Sequence, residues 1–143
     1  MFSEGARLID WAILIVDFLV LAVILWLDAP ERFHKRKVRK RLVIVQRMML
    51  DGHNLRNSVD GANGNDEAAS TWIASVQKWI DTSYQTLADT SMPAALAFIH
   101  RQVIPDIYFG GVTNRPDVSR QFQELLLRLE NLRNIMEKAD VYF

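Results

Sequence analysis

The sequence predicts an all-α protein: one N-terminal transmembrane helix, then a basic juxtamembrane helix, then a small cytoplasmic helical bundle. Three observations predict it. Residues 8 to 27 form a nearly unbroken apolar run, residues 32 to 47 hold eight bases and no acid, and from Val38 onward apolar residues recur at steps of three and four. With 143 residues there is room for one domain beside a membrane segment. Its expected divisions are 1–28, 29–41 and 42–143.

Leu8 to Leu27 is a 20-residue window, of which fourteen are Leu, Ile, Val or Phe. At 1.5 Å rise per residue it spans roughly 30 Å, about the hydrocarbon thickness of a bilayer. At about −0.3 to −0.6 kcal/mol each, those fourteen sum to roughly −6 kcal/mol, against about +3 kcal/mol for the central Asp17. Insertion is favoured. Trp11 and Trp26 lie near the ends, where indole rings prefer the interface. A cleaved secretory signal is disfavoured, because the run is too long, Glu4 offsets Arg7 before it, and no small-x-small site follows.

Orientation follows from the flanks. Arg32, Lys35, Arg36, Lys37, Arg39, Lys40 and Arg41 stand after the run and Arg7 alone before it, so the N-terminus is expected outside and the C-terminal domain in the cytoplasm of an inner or plasma membrane. The same bases are candidates for contact with anionic headgroups. Few residues precede the run, so no external domain is expected, and recognition is expected within the membrane or inside.

Asp10, Asp17 and Asp28 share one helical face: seven residues separate the first two, eighteen the outer two. The outer pair can reach water, and Asp10 has Arg7 one turn back. Asp17 sits mid-span with no Lys or Arg inside the run, so Asp17, with Asp10, is the candidate intramembrane polar contact to a partner chain. The stator-type proteins of flagellar and energy-transducing systems are similar in placing one Asp in a single N-terminal span. Their basic flank precedes the span and their C-terminal domain is periplasmic. The charge order here is the reverse, and their function is not carried over.

Asp28-Ala29-Pro30-Glu31 has the form of a helix start: Asp28 as N-cap, proline in the first turn, Glu31 at the capping-box position. The span is therefore expected to end near Leu27. Val38, Leu42, Val45 and Met49, widened by Ile44 and Met48, then form the first core-facing helix, running to about Asn57 and weakened at Gly52. "SVDGANGND", 58 to 66, is expected to be an exposed connector too polar to pack. Calcium is a poor reading of it, since Asp60, Ala62 and Gly64 lack the alternating oxygen ligands of an EF-hand loop.

The next helix, about 66 to 88, places Trp72, Val76, Trp79, Ile80 and Leu87 on one face, where tryptophans are more often core than ligand box. "TSMPAALAFIHRQV" restarts a helix with Ser91 as cap and Pro93 in its first turn, ending before Pro105. "PDIYFGGVTNRP", 105 to 116, is a loop whose Tyr108 and Phe109 either plug the bundle or meet a partner. The last helix, capped by Asn114 and Asp117, steps by 4, 3, 4, 3, 4 through Val118, Phe122, Leu125, Leu129, Leu132 and Met136. Leu126 and Ile135 broaden that seam and favour packing within the bundle, with self-association through this helix as the alternative.

Sites of chemistry are not expected. There is no cysteine, which excludes disulfides, thiolate zinc sites and cysteine nucleophiles. No phosphate-cradling glycine loop, Gly-x-Ser-x-Gly elbow or His-Glu-x-x-His pair occurs. His34, His53 and His100 are scattered, and a catalytic reading would need Asp81, Asp89 and Asp106 to converge across helices. The chain is thus expected to be no enzyme, with no catalytic residues, metal or cofactor. Its expected partners are membrane lipids and either a second copy or another membrane protein; nucleic acid is not expected. The expected function is that of an accessory or scaffold subunit of a membrane complex. The alternative is an oligomeric ion channel or membrane-permeabilising effector gated by the cytoplasmic domain.

Overall fold

The computed structural model describes the backbone of residues 3–101 and 114–143, and the side chains of that range from residue 14 onward. Every regular element among them is helical: α1 (Ser3–Asn57), a short 3-10 helix (Val59–Asn63), α2 (Asp66–Thr90), α3 (Met92–Ile99), α4 (Pro116–Glu137) and α5 (Ala139–Tyr142). The chain divides into two compact units, Met1–Lys37 and Val38–Phe143. Among the described residues, no helix is long and apolar enough to cross a membrane.

The first unit is helix alone. The expected helix start at Asp28-Ala29-Pro30-Glu31 is not there: α1 passes through Pro30 without ending. An interior proline removes one hydrogen bond and crowds the preceding turn, at about 3 kcal/mol. The runs on both sides are rich in Leu, Lys and Arg, good helix formers that carry the helix past it. Asp28 and Glu31 act not as caps but as partners one turn back, Asp28 for Arg32 at 3.6 Å and Glu31 for Lys35 at 2.6 Å. The hydrogen bond from Lys35, then its charge, holds the Glu31 carboxyl below the ordinary carboxylate range.

The second unit is a bundle with its own core. Its first buried residue is Val38, followed on α1 by Val45 and Met48. The face of α2 expected from the sequence is buried throughout, with Trp72, Val76, Trp79, Ile80 and Leu87 all in the core. Two indole N–H groups fix α2 against α1: Trp72 donates to the Leu55 carbonyl at 2.9 Å and Trp79 to the Met48 carbonyl at 3.1 Å. The two pairings run in opposite senses along the chain, so the helices are antiparallel. Gly52 faces this contact, where a β-carbon would fall 2.6 Å from Trp79 Cζ2 and 2.7 Å from Leu129 Cδ2. Glycine there is a packing requirement, not a weak point.

The connector is not the exposed segment expected. Val59 and Ala62 are buried within its 3-10 helix and belong to the core. Three residues apart, they eclipse on a three-residue turn and share one face, which the polar neighbours mask in the sequence.

Asn65 caps α2, its side-chain oxygen accepting from Ala68 N at 2.7 Å. Ser91 caps α3, accepting from Ala94 N at 3.4 Å, and donates to the Tyr142 carbonyl at 2.5 Å. The start of α4 differs from expectation: Pro116 takes the first turn and Arg115 the cap position, with no side-chain cap bond from Asn114. Arg115 instead pairs with Asp66 at 2.5 Å, which raises its guanidinium pKa above the ordinary value, and reaches Asp117 at 3.6 Å.

Helix α3 is secured to α4 by two buried polar side chains. Arg128 donates to the Phe98 carbonyl at 2.8 Å and pairs with Glu124; Asn131 donates to the carbonyls of Phe98 at 2.9 Å and His100 at 2.8 Å. These carbonyls, at the C-terminal end of α3, have no helical partner of their own. Phe98 is itself fully buried, edge-on to Trp79 with ring centroids 6.0 Å apart and beneath the Arg128 guanidinium at 5.8 Å.

Candidate functional site

Three surfaces carry the unspent chemistry. The first is the apolar stretch of α1. From Leu14 to Leu27 the large hydrophobic side chains are exposed around the whole helix, Phe18 at 74% and Trp26 at 77%. Asp17 is exposed among them, while the side chains of Asp10 and Trp11 lie outside the described residues. At 1.5 Å per residue, the described stretch from Leu14 to Leu27 amounts to about 21 Å of helix.

The basic segment follows. All seven predicted bases except Arg41 are exposed. Arg32 and Lys35 are paired as above, and Arg41 donates to the Phe143 carbonyl at 3.2 Å with its guanidinium 5.6 Å from that ring's centroid. Arg36, Lys37, Arg39 and Lys40 make no ion pair among the described residues. These four are the bases of the segment with neither an ion pair nor a hydrogen bond among the described residues.

The third surface is a partly open cleft of about 340 Å³ between α1 and α2, inside the second unit. Val43, Ile44 and the buried Met48 of α1 line it with Thr82, Thr86 and the buried Trp79 of α2. Arg47 and Asp51 stand one turn apart on the α1 side. Neither forms an ion pair with the other or with any described residue; arginine preceding the acid is the weaker order for a helical pair. Ser83, only 3% exposed, lines the cleft. Ser75, Thr86 and Thr90 on the same helix each donate to the carbonyl four residues back at 2.8 Å. The Ser83 hydroxyl makes no such bond, nor any other among the described residues.

A smaller apolar stripe lies on α3, where Met92, Leu96 and Ile99 are exposed at positions i, i+4 and i+7.

The predicted association seam is used up internally. Val118, Phe122, Leu125, Leu129 and Leu132 are buried in the unit's own core and Met136 packs partly against it, so self-association through them would require opening the bundle. Tyr108, Phe109 and Asp106 fall in 102–113, outside the described residues, as does most of the expected 105–116 loop. Asp81 is exposed and accepts from Gln77 at 3.1 Å, and Asp89 is exposed. His34 and His100 are exposed; His53 is half-buried with its Nδ1 enclosed and unbonded. Among the described residues no group of His, Asp and Glu is placed to hold a metal ion.

The cleft was not expected from the sequence, although one signal for it exists. Ser83 falls on the apolar face of α2, four residues after Trp79 and four before Leu87, as the one hydroxyl of that face's second half. No protein-family model matches the chain, and no curated protein or solved structure matches it either.

Proposed function

We propose that this chain is a single-pass, membrane-anchored helical protein of an inner or plasma membrane, in which α1 supplies the anchor and the bundle from Val38 to Phe143 serves as a cytoplasmic docking module within a larger membrane complex. The observation that carries it is the all-round exposure of the side chains from Leu14 to Leu27. A helix apolar on every side has no favourable place in water, and the described residues offer it no cover. In the sequence Leu8 to Ile13 precede this stretch with one charge, Asp10, and bring the apolar length to the 20 residues that a bilayer needs.

The unpaired bases Arg36, Lys37, Arg39 and Lys40 support the orientation, placed where cytoplasmic headgroups would lie. The exposed Met92, Leu96 and Ile99 stripe supports a docking role, since three apolar side chains on one helix face offer a partner helix anchors at matching spacing. Asp17 supports an assembly rather than a lone anchor, because a mid-span carboxyl is stabilised by a polar group on a neighbouring helix.

Purification in a mild non-ionic detergent followed by native mass spectrometry tests the assembly. The expected species is an oligomer or a complex with a second membrane chain; a monomer purified alone contradicts it. A reporter active only outside the cytoplasm, fused after Phe143, is expected to be silent.

A further inference from the structure

We propose that the cleft between α1 and α2 is a binding site for a small amphiphilic zwitterion of amino-acid size, with the negative end on Arg47 and Ser83, the positive end on Asp51 and the apolar body against Met48 and Trp79. The inference does not rest on the membrane reading, since every residue it uses belongs to the second compact unit.

Size comes first. A space of about 340 Å³ is at the lower end of the range occupied by small-molecule ligands, roughly 300–1,000 Å³. It suits a molecule of about a dozen non-hydrogen atoms. Its apolar surface is rigid where it matters: the Trp79 indole is pinned by its bond to the Met48 carbonyl and by the edge of Phe98. Such a surface selects an apolar group by shape.

The polar groups set the ligand's charge. Arg47 and Asp51 sit on consecutive turns of one helix, where β-carbons are about 5–6 Å apart, and neither charge is met by the other. A ligand with only an anion would satisfy Arg47 and place its charge beside Asp51. One with only a cation would do the reverse. A molecule carrying both satisfies both, and this discriminates against fatty acids and simple amines alike. Ser83 adds a hydroxyl free to donate to the anionic oxygen. Ser75, Thr86 and Thr90 on the same helix are by contrast turned back on their own carbonyls.

The full chain in maltoside micelles, labelled at the tryptophan indole nitrogen, would be titrated with leucine and phenylalanine, and in parallel with 3-phenylpropionate and phenethylamine, which keep the ring but lack the ammonium or the carboxylate. The expected result is a saturable shift of the Trp79 indole signal with the zwitterions, and binding at least about tenfold weaker for each half-charged analogue, the effect of one charge-assisted hydrogen bond. Arg47→Gln and Asp51→Asn, both at exposed side chains, are each expected to weaken zwitterion binding about tenfold while leaving thermal unfolding unchanged. No saturable shift with either zwitterion overturns the proposal. So does equal binding of the analogues, or binding indifferent to both substitutions.

Discussion

Gly52 and Trp79 meet so closely that no larger residue fits at position 52: a β-carbon there would lie 2.6 Å from the indole Cζ2. The same indole donates to Met48 one turn earlier, so the ring is unable to retreat without giving up a buried hydrogen bond. Gly52→Ala is therefore expected to destabilise the bundle, although alanine is the better helix former by about 1 kcal/mol. Overpacking of this kind costs about 1–3 kcal/mol, and the clash with Leu129 adds to it. Thermal unfolding should show a midpoint lowered by several degrees; a midpoint raised by the substitution would show that the helices can part.

Asn131 is expected to matter as much as a core leucine. Its amide serves the two carbonyls that end α3, and Asn131→Leu would leave the His100 carbonyl without this donor and a larger apolar group beside Phe98. A loss of about 1–3 kcal/mol in denaturant unfolding is expected, from unsatisfied buried polar groups. Arg128 still reaches the Phe98 carbonyl, so the two side chains should be non-additive in a double-mutant cycle.

These two sites show which parts of the fold are legible in sequence. Trp72 to Leu87 and Val118 to Leu132 repeat with helical period, and periodicity survives any tertiary arrangement. Ser91 and Pro93 announce a helix start by local chemistry alone. Gly52 reads as a weakness because its reason is a tryptophan 27 residues away in the chain. Val59 and Ala62 are hidden in a polar segment because a single 3-10 turn is too short to show a pattern. Asp28 to Glu31 has every local mark of a helix start, yet the helix-forming runs on both sides override it. Arg47 and Asp51 share one face of α1 in the sequence, but the cleft needs Ser83 and Trp79 of α2 set opposite them, and neither helix alone reveals that.

The Glu31–Lys35 pair gives a pH signature. The folded carboxyl titrates below its ordinary value of 4.5, so the pair contributes above 4.5 and its contribution is lost as pH falls through the lowered value. Both side chains are exposed, so the effect is local and weakened by salt. Carboxyl-detected NMR of Glu31 should give a midpoint below 4.5 that moves up in Lys35→Met; no movement would show that the pair is not formed.

Asp17 separates anchoring from assembly. Asp17→Leu removes about 3 kcal/mol of insertion cost and should leave the chain firmly in the membrane. If the carboxyl contacts a neighbouring helix, the same substitution should reduce cross-linked oligomer or partner while Asp17→Asn retains much of it. Unchanged cross-linking in both variants would mean that Asp17 has no partner. Conductance lost in Asp17→Asn with assembly intact would favour a channel over a scaffold.

Alkaline carbonate extraction of membranes holding the full chain tests most directly whether residues 8 to 27 anchor it in a bilayer. The wild-type protein is expected to stay in the pellet. The double substitution Leu19→Arg and Val23→Arg adds roughly 6 kcal/mol against insertion, about the whole apolar gain of the run, and should move the protein to the supernatant. Wild-type protein released by carbonate would contradict the account.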